Sequence, residues 1–250
     1  RWTVALSGDG GDELLGGYPR LRLMPWLEKA IAVPRSLRSR MLPGLPAARW
    51  AEKLSAATSA DSTWQAYQAM QGIWPAADAA RLCGLDEAPE VWSPDLLARL
   101  GEFPPWLRYR LLDALTFLPE RVLAKVDRAS MDHGLEVRVP LLDHEVVEFL
   151  FSLPPSLTNG KRVLRKTLDR AGVPSPSRRK RGFEVPLASW LRGSLKENVD
   201  LALRSPTVDD LGLDRKVLQS TWDAHLQAKA DHAERLFAVA VLVRWVEEWV

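Results

Sequence analysis

The chain has 250 residues, 46% hydrophobic and 26% charged, and its 34 lysines and arginines nearly balance 32 acids for a net charge of +2. These values suit a folded globular protein and exclude collagen-like, low-complexity and broadly disordered chains. The charge alone does not mark a nucleic-acid protein, the single cysteine (Cys83) cannot close an internal disulfide, and the longest apolar run, Leu236 to Val243, is far shorter than the roughly 18 residues of a membrane span. No signal peptide is visible. The first residue, Arg1, opens a segment that reads as an interior strand entered midway, so a fragment of a longer protein is expected.

Thr3 to Leu6 is a short run of β-formers suited to a buried strand. It passes at once into Ser7-Gly8-Asp9-Gly10-Gly11-Asp12-Glu13 and a short helix. Beyond that the chain reads as helical, with Pro34, Pro43, Pro46, Pro75, Pro89 and Pro94 breaking residues 20–103 into segments. Asp61-Ser62-Thr63 can cap the helix carrying Trp64, Tyr67 and Met70. The tryptophans are expected in the core or at helix contacts. Trp106 to Leu118 reads as a buried helix that Pro119 ends while opening the next. There Val122, Val126 and Ala129 form one apolar stripe, Lys125 and Arg128 share another face, and Gly134 stops the helix. Leu135 to Asp143 alternates in polarity, and Asp143 can cap a helix from His144. Further helices are expected over Arg162 to Arg170, Trp190 to Leu203, Lys216 to Lys229 and His232 to Val250. The last has its apolar side at Leu236, Val239, Ala240, Val243 and Val246, and its other apolar residues imply burial on more than one side.

Three segments carry candidate chemistry. In Ser7 to Glu13, three glycines around Asp9 let backbone N–H groups turn outward and make an anion nest, to which a helix start near Asp12 adds its positive end. Acidic residues beside an anion are reconciled by a divalent cation, since Mg²⁺ is commonly held by a carboxylate together with substrate phosphates. The plain alternative is a tight strand-to-helix turn with Asp12 as its cap. In Asn159 to Arg181, nine cationic residues (Lys161, Arg162, Arg165, Lys166, Arg170, Arg178, Arg179, Lys180 and Arg181) face the single acid Asp169. Such a field draws polyanions: ATP, pyrophosphate or nucleic acid. The alternative is a solvated helix face followed by a loop. In Lys125 to Asp143, seven charges lie between apolar helices and are expected to be partly buried and paired, either as a structural network or as a polar substrate pocket. The four histidines lack zinc spacing, and no GxSxG elbow, Walker A or GxGxxG motif occurs, which disfavours hydrolase and Rossmann readings.

Together these segments resemble the synthetase domain of glutamine-dependent asparagine synthetases. The resemblance runs through Val4-Ala5-Leu6-Ser7-Gly8-Asp9-Gly10-Gly11-Asp12-Glu13-Leu14-Leu15-Gly16-Gly17-Tyr18 and Leu118-Pro119. It continues through Lys125-Val126-Asp127-Arg128-Ala129-Ser130-Met131, Leu135-Glu136-Val137-Arg138-Val139-Pro140 and Leu142-Asp143. Gly160-Lys161, Lys180-Arg181-Gly182-Phe183-Glu184-Val185-Pro186 and Trp190-Leu191 complete it. Residues 20–105 are poor in such motifs. The resemblance implies an α/β fold of the ATP-pyrophosphatase (adenine nucleotide α-hydrolase-like) type, truncated and helix-dominated here, with residues 1–250 as its C-terminal portion. It implies that ATP activates the side-chain carboxylate of aspartate as an acyl-adenylate, and that ammonia from a separate glutaminase domain then gives asparagine and AMP.

By the same resemblance Ser7, Gly8 and Gly10 line the nucleotide pocket and Asp12 binds Mg²⁺. Lys180 neutralises charge on the α-phosphate and departing pyrophosphate, a kind of electrostatic stabilisation worth on the order of 3 kcal/mol per well-placed group. Asp9 orients or deprotonates the amine. Glu136 and Arg138 line the amino-acid end, Arg138 as a bidentate carboxylate partner. The family's other phosphate loop, of Ser-Gly-Gly-x-Asp-Ser type, and its glutaminase domain with a leading cysteine are not among these 250 residues and are expected upstream of Arg1. Relatives that amidate or cyclise other carboxylates leave the acceptor open, and a non-enzymatic polyanion-binding helical module is the other class. A cytoplasmic protein with no membrane or nucleic-acid partner is expected, with homodimerisation open.

Overall fold

The computed structural model describes residues 2–38, 48–173 and 185–250. Strand β1 (Val4–Leu6) leads through the glycine-rich turn into the one-turn helix α1 (Gly11–Leu14), followed by α2 (Pro19–Ile31) and α3 (Arg35–Arg38). Next come α4 (Ala48–Thr58), α5 (Thr63–Gln71), α6 (Ala76–Leu82), α7 (Pro94–Gly101) and α8 (Pro105–Leu112). Helix α8 continues without a break through a π-helical stretch (Asp113–Leu123) into α9 (Ala124–Met131). Strand β2 (Glu136–Arg138), a 3₁₀ turn (Pro140–Leu142), α10 (His144–Ser152), α11 (Pro155–Thr158) and α12 (Arg162–Arg170) follow. The described chain ends with α13 (Leu187–Arg192), α14 (Lys196–Arg204), α15 (Thr207–Asp210), α16 (Arg215–Leu226) and α17 (Ala233–Trp249). The protein is thus mostly helical with a small parallel sheet. No helix among the described residues is long and apolar enough to cross a membrane.

The described residues form two compact units: 2–38, 58–67 and 92–173 in the first, and 48–57, 68–91 and 185–250 in the second. In the first, β1 and β2 pair in parallel, Val4 opposite Glu136 and Leu6 opposite Arg138. Helix α2 buries Leu21, Met24, Leu27 and Ala30, a 3.6-residue stripe, and packs on α8. Leu14, Leu15 and Leu150 form a second apolar cluster joined by Leu141, Leu142 and Phe151. In the second unit, α17 buries Leu236, Val239, Ala240 and Val243 against Leu191, Val199, Leu218 and Trp222. Each such buried large side chain contributes about 1.5–3 kcal/mol. The Trp222 indole N–H, buried with its ring, donates to Asp200 Oδ1 at 3.0 Å.

Local signals in the sequence mostly act as expected. Ser62 caps α5 by accepting from the Gln65 N–H while Gln65 Oε1 accepts from the Asp61 N–H. Asp143 caps α10 through the Glu145 N–H, and Gly134 (φ 62°) closes the end of α9.

Other expectations are corrected. Pro119 does not end its helix. It lacks only an N–H, and the wider π register absorbs the defect, with the Ala124 N–H reaching back to the Pro119 carbonyl. The 190–203 segment is two helices, because Gly193 stops α13 and turns Leu195 into the core. Strand β1 is not buried: Val4 and Leu6 are exposed. Helix α17 is buried on one side only, with Phe237, Val241, Trp245 and Trp249 facing outward. Trp2 and Trp190 are likewise exposed. The charges of Lys125 to Asp143 do not form a buried network. Lys125, Asp127, Arg128, Asp132, Glu136, Arg138 and Asp143 are all exposed, because α9 buries none of its side chains among the described residues.

Candidate functional site

The glycine-rich turn begins where β1 ends. The Ser7 N–H donates to the Arg138 carbonyl at 2.8 Å, extending the sheet ladder by one bond and fixing the turn to the end of β2. Ser7 Oγ donates to Asp9 Oδ2 at 2.5 Å and accepts from the Asp9 N–H at 3.3 Å, so these two residues form a closed local unit. Gly10 then adopts φ 78°, and a Cβ there would lie 2.4 Å from Leu142 Cδ2. Glycine alone meets both demands. The 3₁₀ turn after β2 therefore presses directly on the glycine-rich turn. Helix α1 starts at the next residue and carries Asp12 and Glu13 in its single turn.

The two carboxylates of α1 point to different places. Glu13 is buried and accepts from the Tyr18 hydroxyl at 2.6 Å. Burial, with Glu13 beside it, pushes the Tyr18 phenol well above its usual range. Asp12 is part-exposed and faces Lys161, whose Nζ lies 3.1 Å from Oδ1. Lys161 sits just ahead of α12 with φ 62°, following Gly160 at φ 68°. A left-handed non-glycine residue costs on the order of 1 kcal/mol and is retained where surroundings enforce it. Gly17 makes room for the pair: a Cβ there would stand 1.9 Å from Asp12 Oδ1 and 2.9 Å from Lys161 Cε.

Behind the turn lies a buried polar network. Arg20 Nη2 donates to Asp113 Oδ2 at 2.8 Å, the Tyr67 hydroxyl donates to Asp113 Oδ1 at 2.5 Å, and Arg20 stacks on the Tyr18 ring at 4.0 Å. Burial raises the Asp113 carboxyl above the ordinary carboxylate range, against the pull of Arg20 and Tyr67. Burial also raises the Tyr67 hydroxyl, so it stays a donor at neutral pH.

The structure brings Ser7, Gly8, Asp9, Gly10 and Asp12 into one turn and places the end of β2 beside it. Glu136 and Arg138 pair with each other at 2.7 Å on the exposed face of the strand. Of the cationic segment, Lys161 reaches the turn, while Arg162, Arg165, Lys166 and Arg170 line the solvated face of α12. Lys180 lies outside the described residues, as do Arg178, Arg179 and Arg181. The pairing of Lys161 with Asp12 was not legible in the sequence. Gly160-Lys161 marks a tight turn, but nothing in it names a partner so far up the chain. A part-exposed carboxylate paired with a lysine at a glycine-rich turn is chemically compatible with a phosphate-bearing ligand accompanied by a divalent cation. Among the described residues no three His, Cys, Asp or Glu side chains gather as a metal cage. A single part-exposed carboxylate is compatible with a Mg²⁺ ion only if phosphates and water supplied the rest of its ligands, in which case Asp12 would be the residue to hold it.

The family model for asparagine synthase matches residues 1–249. The chain belongs to the asparagine synthase family. Among curated relatives, "Asparagine synthetase [glutamine-hydrolyzing] 1" of Bacillus subtilis is 29% identical over 97% of this chain and 40% of the relative. "Putative asparagine synthetase [glutamine-hydrolyzing]" of Mycobacterium tuberculosis is 28% identical over 97% of this chain and 39% of the relative. Human "Asparagine synthetase [glutamine-hydrolyzing]" is 41% identical over a shorter stretch, 20% of this chain and 10% of the relative. No solved structure gives a significant match. The chain spans about two fifths of the length of the first two relatives.

Proposed function

We propose that this chain is the C-terminal portion of the ATP-dependent, amide-forming half of a glutamine-hydrolysing asparagine synthetase, built on an ATP-pyrophosphatase-type α/β fold. The observation that carries the reading is the convergence of the glycine-rich turn and the Gly160-Lys161 turn on Asp12, in a chain matched almost end to end by the asparagine synthase family.

In the proposed reaction a side-chain carboxylate oxygen of aspartate attacks the α-phosphorus of ATP, and the bond to pyrophosphate breaks. Ammonia from a glutaminase domain then attacks the acyl carbon, AMP leaves with the bonding pair, and the amine loses a proton. The first step brings anion to anion, so cations must offset the repulsion. Ser7, Gly8 and Gly10 receive the nucleotide, and Asp12 would hold an accompanying Mg²⁺, whose charge would offset that of the phosphates. Lys161, released from Asp12, is left at the edge of the polyphosphate. Asp9, held by Ser7, orients or deprotonates the amine. Glu136 and Arg138 stand at the amino-acid end, where Arg138 exchanges its bond to Glu136 for the substrate carboxylate. Lys180 is assigned to the α-phosphate by resemblance.

The test is pyrophosphate release by the full-length protein. Aspartate is expected to be the preferred acceptor in a panel of carboxylic acids, and Asp12→Ala to abolish Mg²⁺-dependent release. Unchanged release by Asp12→Ala refutes the site. A different preferred acid keeps the site and replaces the substrate.

A further inference from the structure

Arg110 is the buried group that the proposed chemistry leaves unexplained. It lies on α8 and is 2% exposed. Its Nη2 donates to the carbonyls of Leu14, the last residue of α1, and Leu150 of α10. Its Nε and Nη1 are buried with no hydrogen-bond partner among the described residues. The rings of Phe151 and Trp106 stand 5.2 and 6.0 Å from its Cζ. Burial lowers its pKa to about 10, which still leaves it a cation at neutral pH. No described carboxylate pairs with it.

Stability alone does not explain why the group is charged. Its Nη2 satisfies the Leu14 and Leu150 carbonyls, yet the cation is buried without a carboxylate among the described residues and leaves two of its own donors unbonded. The position of the charge supplies the reason. The Leu14 carbonyl closes the one-turn helix that carries Asp12. Leu150 belongs to the helix that follows Leu141 and Leu142, the side chains set against Gly11 and Gly10. Both segments framing the glycine-rich turn thus end on one guanidinium. A positive charge that no described carboxylate pairs with is therefore held at the end of the one-turn helix that carries Asp12. It lies in the interior, where salt screens it little.

We propose that Arg110 is a positioning residue, locking together the two segments that frame the glycine-rich turn and keeping an uncancelled positive charge behind it, so that the turn holds a polyphosphate more tightly. The inference rests on the ATP reading above and adds a residue to it.

The experiment compares Arg110→Met, Arg110→Lys and Arg110→Gln with wild type in the full-length protein, by calorimetric titration with MgATP, steady-state kinetics and urea unfolding. Arg110→Met leaves the Leu14 and Leu150 carbonyls without this donor and is expected to lower the urea midpoint modestly, yet to bind MgATP about tenfold more weakly while fully folded. The KM for ATP should rise while that for aspartate stays unchanged. Arg110→Lys, which keeps the charge, should return MgATP affinity close to wild type. If Arg110→Met does not fold, Arg110→Gln against Arg110→Lys makes the same comparison. Equal MgATP affinity in wild type and the uncharged variant overturns the assignment, as does an Arg110→Lys variant as weak as the uncharged one. A wild type that takes up no MgATP defeats the ATP reading itself, a result distinct from both.

Discussion

Replacing Gly17 by alanine tests the Asp12–Lys161 pair most directly. The added methyl would sit 1.9 Å from Asp12 Oδ1, 2.8 Å from its Cγ and 2.9 Å from Lys161 Cε. Flipping the carboxylate about χ2 moves only the oxygens and leaves the Cγ contact in place. Asp12 must therefore leave its χ1 well, which takes it away from Lys161. An off-rotamer side chain costs about 0.5–1.5 kcal/mol, and a part-exposed ion pair contributes at most about 1 kcal/mol. Residual overpacking against the Lys161 stem adds to both, for a total of about 2 kcal/mol. For a chain of this size that corresponds to a fall in melting temperature of about 4–8 °C. Thermal unfolding of Gly17→Ala in wild-type and Asp12→Ala backgrounds gives the answer as a double-mutant cycle. In the second background the obstructing carboxylate is absent, and the same alanine should cost under about 0.5 kcal/mol. Equal costs in the two backgrounds, or no cost in either, would show that Gly17 does not exist to accommodate the pair.

Other substitutions read different parts of the structure. Asp113→Asn leaves Arg20 buried without its carboxylate and should destabilise the first unit by about 3–5 kcal/mol in urea unfolding, whereas Asp113 at the surface would make it silent. Leu236→Ala should cost about 2–5 kcal/mol by opening a cavity in the second unit. Stability should also fall in mild acid. His225 is buried, its Nδ1 accepts from the His232 N–H at 3.2 Å, and burial with Arg192 nearby depresses its pKa, with Asp231 pulling the other way. The unfolded chain therefore binds the proton first, so this contribution is complete above about pH 6.5 and is lost as pH falls from there through the depressed folded value. Urea midpoints at pH 7.5, 6.5 and 5.5 should decline in that order, and His225→Gln should flatten the decline. In the full-length protein, Lys180→Ala should slow adenylation by at least about a hundredfold. A near-normal rate removes Lys180 from the mechanism.

What the sequence made legible was local. Ser62, Asp143 and Gly134 act through bonds to backbone a few residues away, so their roles follow from position alone. The glycine-rich turn was readable for the same reason, and the match to the asparagine synthase family supports the order of motifs read along the chain. Burial was less legible, because an apolar side chain does not announce which neighbour covers it. Val4, Leu6, Phe237 and Trp245 satisfy every local criterion for the core and yet are exposed. Pairing over long separations was not legible at all. Asp113 answers Arg20, and Lys161 answers Asp12, across stretches whose folding decides the encounter. Pro119 misled because proline forbids a hydrogen bond of one register, and the helix changed register instead.

The glycine-rich turn carries three carboxylates within five residues, an arrangement that should repel the polyphosphate assigned to it. The structure resolves this by giving each acid its own donor. Ser7 holds Asp9, Tyr18 holds Glu13 inside the protein, and Lys161 holds Asp12. Only the last of these partners is charged and part-exposed, so the Asp12–Lys161 bond is the one that solvent and screening weaken enough to exchange. On the proposed reading, a carboxylate and an ammonium that parted in the presence of MgATP would serve as a ligand for the cation and a counter-charge for the phosphates. At rest only the Asp12 charge is balanced by a cation, while Asp9 and Glu13 are held by neutral hydroxyls, so the turn stays acidic and would suit a magnesium–polyphosphate better than a bare anion. On that reading the turn must select the metal complex over the free nucleotide, and equal affinity for ATP with and without Mg²⁺ would refute it.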